Sequence, residues 1–106
     1  MKNQSFAIVI STAACSQEAE KIALALIQQK LAACVQVLPI KSYFTWQNKL
    51  NVENESLLLI KCKCSDYEEI EKCIKANHSY EVPEIIQVPI ENGLGDYLNW
   101  IGQVTR

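Results

Sequence analysis

Three short, predominantly apolar stretches constrain this chain's fold more than any other feature. They are Phe6-Ala7-Ile8-Val9-Ile10, Leu57-Leu58-Leu59-Ile60 and Ile85-Ile86-Gln87-Val88. Successive residues of a strand point to opposite faces, so a strand built from such a run is apolar on both sides. A sheet of these strands needs cover on both faces.

Between the runs the pattern changes to that of a helix. Ser16 is placed to cap a helix in which Ala19, Ile22, Ala23, Leu26, Ile27 and Leu31 form one stripe, with Glu18 and Glu20 set against the N-terminal dipole. From Ala33 the chain reads as extended. Cys34 to Leu38 and Ile40 to Trp46 form a strand that Pro39 either bulges or places at a sheet edge. Gln47-Asn48-Lys49 reverses direction, Asn48 being best suited to positive φ, and Leu50 to Cys64 returns as the hairpin partner. Ser65-Asp66-Tyr67-Glu68 has capping-box spacing and opens a helix with the stripe Tyr67, Ile70, Cys73 and Ile74. That helix ends near Asn77, and Pro83 excludes helix just ahead of it. Ile85 to Val88 is the fourth strand. Asp96 then caps a short helix carrying Tyr97, Leu98, Ile101 and Val104.

The order β-α-β-β-α-β plus a C-terminal helix predicts an α+β, ferredoxin-like sandwich in one domain over residues 1–106. Its four-stranded antiparallel sheet carries helices on one face. The other face should be polar if it meets water, yet the strands are apolar there too. An obligate homo-oligomer is therefore expected. Tyr43-Phe44-Thr45-Trp46 lies near the hairpin tip, Phe44 and Trp46 on one face and Tyr43 and Thr45 on the other. Aromatics placed this way act as interface anchors.

Charge and cysteine content remove several functions. Ten Lys plus Arg against twelve Asp plus Glu give a formal net charge of −2, the wrong sign for a nucleic-acid binder. Arg106 is the single arginine, so the phosphoryl clamp of an acylphosphatase on this fold is nearly unavailable. No apolar run nears the ~20 residues of a membrane-spanning helix. Met1 to Ser5 leads into a stretch too short for a signal peptide, so a cytoplasmic location with no membrane partner is expected. The cysteines are Cys15, Cys34, Cys62, Cys64 and Cys73, without a C-x-x-C. That argues against a disulfide framework, a thioredoxin motif and a zinc ribbon. Cys62 and Cys64 point the same way in a strand and could hold a cuprous ion if exposed, although a central strand tends to bury them.

No Gly-rich phosphate loop or carboxylate pair stands out, and no catalytic residue is assigned. The dense stretch is His78-Ser79-Tyr80-Glu81-Val82-Pro83-Glu84, which brings imidazole, phenol and carboxylate onto one loop. These residues also have a structural reading: Tyr80 anchors the loop, Glu84 bonds main-chain amides, and His78 caps the preceding helix. A Cys15–His78 nucleophile pair is formally available.

Five motifs occur together in register: Lys30-Leu31-Ala32-Ala33-Cys34-Val35; Tyr43-Phe44-Thr45-Trp46 with Lys49-Leu50; Lys61 closing the third strand; His78-x-Tyr80-x-x-Pro83-Glu84; and Tyr97-Leu98-x-Trp100-Ile101. With this spacing the chain resembles the CutA family of divalent-cation-tolerance proteins over essentially its whole length. The resemblance implies a ferredoxin-like subunit in a tight homotrimer similar to the PII signalling proteins. It also implies an association with tolerance of copper and other divalent metals, and no established catalysis. Glu84 is the one proposed metal ligand present without substitution, with His78 its neighbour. Ser11 stands where some members carry a metal-binding cysteine, Asn77-His78 where some carry paired histidines, Ser79 in place of Pro, and Asn48 in place of the turn Gly.

Two functional readings result. One is a trimeric protein of divalent-metal tolerance or response, acting through weak copper binding or signalling, with Glu84 and His78 at the metal. The other is a PII-like regulatory module whose inter-subunit clefts, lined by Lys61, Tyr80 and Glu84, take a small ligand. Tyr43, Phe44 and Trp46 belong to the trimer interface in both.

Overall fold

Alternation within the apolar runs decides how the sheet is faced. The computed structural model describes residues 5–106; Met1 to Gln4, read above as the lead into the first strand, lie outside the described residues. The elements are β1 (Phe6–Ala13), α1 (Ser16–Gln28), β2 (Ala32–Trp46), β3 (Lys49–Lys63), a 3-10 turn (Cys64–Asp66), α2 (Tyr67–Ala76), β4 (Ile85–Pro89) and α3 (Gly95–Val104). The strands lie in the order β2-β3-β1-β4, all neighbours antiparallel, which is the expected ferredoxin-like arrangement.

Ala7 and Val9 pair with Cys62 and Ile60, and this parity is fully buried. It packs against Ala19, Ile22 and Leu26 of α1 and Ile70, Cys73 and Ile74 of α2. Each large aliphatic side chain removed from water there contributes ~1.5–3 kcal/mol. The opposite parity is also apolar. Ile8, Ile10, Leu57 and Leu59 are half-buried, while Leu38, Ile86 and Val88 are 40%, 50% and 43% exposed. At one end of this face α3 packs along β2 and β3 and sets Gly102 against the Phe6 ring. The rest of the face is open in the single chain.

Several local expectations are corrected. Cys15, not Ser16, precedes α1, and no side chain caps it; the Ser16 hydroxyl lies 3.4 Å from Gln17 Oε1. The capping box does not form, because the chain tightens into the 3-10 turn and Asp66 becomes the residue before α2. The Asp66 carboxylate instead meets Arg106 Nε at 3.4 Å. Leu94 precedes α3, with Asp96 inside its first turn, and Ile101 is the buried residue of that helix. Pro39 continues the pairing opposite Ser56, and the irregularity falls at Ala32/Cys34. Because β2 is an edge strand, the missing N–H of Pro39 is tolerated there. The hairpin reverses with positive φ at both Gln47 (53°) and Asn48 (61°), as a two-residue turn that matches strand twist requires.

Candidate functional site: the loop after α2

The loop begins where α2 runs out of side chains that can continue it. Asn77 closes the helix by donating its side-chain amide to the Cys73 carbonyl at 2.8 Å. The chain then crosses the end of β1 before Pro83 leads it into β4. His78 docks on that strand end. Its Nε2 lies 2.6 Å from the Thr12 carbonyl oxygen, and its Nδ1 accepts the Tyr80 main-chain N–H at 3.1 Å. A carbonyl can only accept, so Nε2 carries the proton and Nδ1 the lone pair: the ring is neutral. The imidazole is fully buried, with Glu18 Oε1 of α1 3.6 Å from Nδ1.

Tyr80 packs beside it, ring centroids 4.8 Å apart, and donates its hydroxyl to Glu55 Oε2 of β3 at 2.6 Å. Burial pushes the phenol well above its ordinary range, reinforced by the Glu55 hydrogen bond and charge, then by Glu18 and Glu53. Tyr80 is thus held as a donor at neutral pH. Elements β1, α1 and β3 converge on the loop through Thr12, Glu18 and Glu55. Sequence reasoning placed Glu18 only in the helix dipole and missed Glu55; the one signal for Glu55 is the polar stretch Glu53-Asn54-Glu55 just ahead of the apolar run Leu57 to Ile60.

The other expected residues are more scattered. The Glu84 side chain is exposed, while its carbonyl accepts from the buried Ser11 hydroxyl at 2.7 Å. Ser11 is therefore a tie between β1 and the entry to β4. Lys61 sits on the open sheet face opposite Ile8, where its ammonium donates to Gln36 Oε1. Among the described residues, no hydrogen bond or ion pair links Lys61 to Tyr80 or Glu84. One chain alone does not assemble the three into a cleft. At the hairpin tip, Tyr43, Phe44 and Trp46 are 68%, 38% and 46% exposed.

The donor set of one chain does not fit a resident metal ion. Both His78 nitrogens are engaged with main chain, so the folded ring serves as a loop anchor. It does not pair with Cys15, which is exposed ahead of α1. Glu84 is left as a single exposed carboxylate. Cys62 is fully buried 3.7 Å from the Ala7 carbonyl, and its thiol is pushed up to about 12, by burial first and then by Cys64 and Asp66. Cys64 falls beyond the strand, in the 3-10 turn. Among the described residues, no three His, Cys, Asp or Glu side chains group so as to hold a metal.

A ferredoxin-like subunit with an uncovered apolar sheet face, a long aromatic hairpin and a His-Tyr loop against β1 is thus defined by fold and site together. The family model described as CutA1 divalent ion tolerance protein matches residues 7–104, and the chain belongs to that family. It is 42% identical over 95 residues to the divalent-cation tolerance protein CutA of Archaeoglobus fulgidus, covering 90% of this chain and 93% of that one. It is 41% identical over 101 residues to the chloroplastic CutA of Arabidopsis thaliana, covering 93% of this chain but only 56% of that longer protein. Solved structures agree: Archaeoglobus fulgidus CutA superposes with a TM-score of 0.92 at 39% identity, covering 93% of this chain and 97% of that one. Oryza sativa CutA1 superposes at 0.94 and 36% identity, covering 97% and 95%.

These relatives overturn the cytoplasmic expectation. The Arabidopsis protein is described as chloroplastic and the Archaeoglobus structure as periplasmic. The same fold therefore occurs in members assigned outside the cytoplasm. No helix among the described residues is long and apolar enough to cross a membrane.

Proposed function

We propose that the chain acts as a homotrimer in the response to divalent metal ions, copper among them, without catalysing a reaction. The observation that carries this reading is the open sheet face of Ile8, Ile10, Leu38, Leu57, Leu59, Ile86 and Val88. Exposed apolar patches of that continuity mark interaction sites, and a small chain gains core by burying one against its own copies. Tyr43, Phe44 and Trp46 extend the contact beyond the subunit and anchor it. Obligate interfaces of this kind bury on the order of 2,000 Å² or more. Copper binds weakly, through Glu84 with water or a neighbouring subunit completing the shell, because tight transition-metal sites take three or four well-placed donors. Sedimentation equilibrium at micromolar concentration tests the assembly. A species about three times the 12.0 kDa chain mass is expected, and a folded monomer refutes it.

Lys61 supports a second reading, a PII-like module that binds a small ligand between subunits. This ammonium lies on the open face, where a neighbour's loop carrying Tyr80 and Glu84 can approach it. Native mass spectrometry of protein from cell extract reads both outcomes: a retained small molecule favours this reading, and a retained metal ion favours the first.

A further inference from the structure

We propose that Asn92 is a site of spontaneous deamidation, at which the Gly93 main-chain nitrogen closes on the Asn92 side-chain amide and resets the start of α3. Asn92-Gly93 is the single Asn-Gly pair of the chain. Ring closure asks three things of a folded protein. The following residue must lack a Cβ that would block the approach, its main-chain N–H must not be held in a hydrogen bond, and the side-chain amide must be free to turn. The loop between β4 and α3 meets all three.

Glu91 to Leu94 are exposed and lie outside helix and strand. Among the described residues, neither the Gly93 N–H nor the Asn92 side-chain amide makes a hydrogen bond. The bonds that do form bracket the pair: the Ile90 N–H donates to the Phe6 carbonyl at 2.9 Å, and the Leu98 N–H to the Leu94 carbonyl at 3.0 Å. Asn51 and Asn77 differ on both counts. Their amides are committed to main-chain carbonyls at 3.0 Å and 2.8 Å, and they precede the bulkier Val52 and His78. Glycine stands at 93 for packing and not for φ, since no glycine among the described residues has a positive φ. A Cβ on Gly93 would lie 3.2 Å from Leu98 Cγ and Cδ2. The close seat on α3 therefore selects the one residue type that leaves Asn92 open to attack.

The chemistry needs only water. The Gly93 nitrogen loses its proton and bonds to Asn92 Cγ, the Cγ–Nδ2 bond breaks, and ammonia leaves with that proton. The five-membered imide so formed holds the Gly93 nitrogen between two carbonyl carbons, and water opens it at either. Breaking the bond to Cγ leaves aspartate on the ordinary main chain. Breaking the bond to the main-chain carbonyl carbon leaves isoaspartate, whose main chain runs through Cβ and Cγ and is longer by a methylene. Both products are ionised at neutral pH. Each adds a negative charge to a chain of formal charge −2, between Glu91 and Asp96. Isoaspartate alone changes the length of the loop. With an extra atom between the Ile90 and Leu94 anchors, Gly93 cannot keep its seat on Leu98, and the first turn of α3 loosens. Because α3 packs along β2 and β3 on the open face, that loosening reaches the contact between subunits. The last consequence rests on the proposed function; the deamidation does not.

The test ages the purified protein at mildly alkaline pH and follows its proteolytic peptides by mass spectrometry. Labelling with an isoaspartyl methyltransferase separates isoaspartate from aspartate. The same chain unfolded in guanidinium chloride supplies the unrestrained rate. The expected result is conversion at Asn92 ahead of every other asparagine, at a native rate within about tenfold of the unfolded one. A reaction that had to wait for global unfolding would be slower by about 10³ or more. Asn92→Gln, which would have to close a larger ring, should keep the wild-type melting temperature and stop the conversion. The Leu98 amide should exchange with solvent about tenfold faster in the isoaspartate form than in Asn92→Asp, which carries the charge without the added length. A native rate more than about tenfold below the unfolded one, or an earlier conversion at another asparagine, overturns the site. Equal Leu98 exchange in the isoaspartate form and Asn92→Asp overturns the resetting of α3. Sedimentation of the fresh protein reads the trimer separately, so failure of one claim is distinct from failure of the other.

Discussion

The Cys62 thiol makes a sharp prediction at alkaline pH. Its side chain is fully buried, and ionisation is pushed from 9.0 up to about 12, chiefly because a thiolate there would lose its water. The folded value lies above the unfolded one, so the contribution to stability is complete below about pH 9. It is lost as the pH climbs towards 12, because the unfolded chain releases the proton first. Each unit corresponds to ~1.4 kcal/mol, so wild type should lose roughly 3 kcal/mol through this group by pH 11. Cys62→Ala cannot suffer that loss. Its own defect is a small cavity beside Ala7 and Val9, about 1 kcal/mol. The variant should therefore be the less stable protein at pH 8, draw level near pH 10, and be the more stable by roughly 2 kcal/mol at pH 11. Urea unfolding of both proteins at matched chain concentration, at unit intervals from pH 8 to 11, measures the difference directly. Parallel stability curves would show that Cys62 does not resist ionisation, and with them would fall the argument that this thiol is unavailable to cuprous ion at neutral pH.

Three further outcomes follow from the site and the hairpin. Trp46→Ala should weaken assembly by ~3–5 kcal/mol, the range for truncating a buried aromatic; an unchanged trimer and melting temperature would remove Trp46 from the interface. Tyr80→Phe breaks the 2.6 Å bond to Glu55 and should cost ~1.5–3 kcal/mol at pH 7. Because the folded phenol is held above its unfolded range, the wild-type advantage should persist to about pH 10 and shrink beyond it, which thermal melts across pH 8 to 11 will show. Calorimetric titration of cupric ion should give weak binding that Glu84→Gln diminishes and His78→Asn leaves unchanged. Sub-nanomolar affinity in wild type, or a loss confined to His78→Asn, would contradict the donor geometry described above.

What the sequence determined by itself is whatever depends on the repeat of side chains along one element. The two-sided apolar strand Phe6 to Ile10, the stripe of Ala19, Ile22 and Leu26, and the reversal at Asn48 are local consequences of backbone geometry. They were legible, and so were the ferredoxin-like order and the second apolar face. Caps were less so, because a Ser65 hydroxyl competes with a tertiary pull: Asp66 answers to Arg106, 40 residues away, and the strand end winds into a 3-10 turn. The candidate site was legible as a set of residues but not as a set of roles. Nothing local to His78 shows that Thr12, 66 residues earlier, meets its Nε2 while the Tyr80 amide meets its Nδ1. Lys61 reads as a neighbour of Tyr80 and Glu84 until the register opposite Ile8 puts it on the open face. Hydrogen-bond partners and buried charges are settled by which strand ends meet, and only the packed sheet and helices bring those ends together.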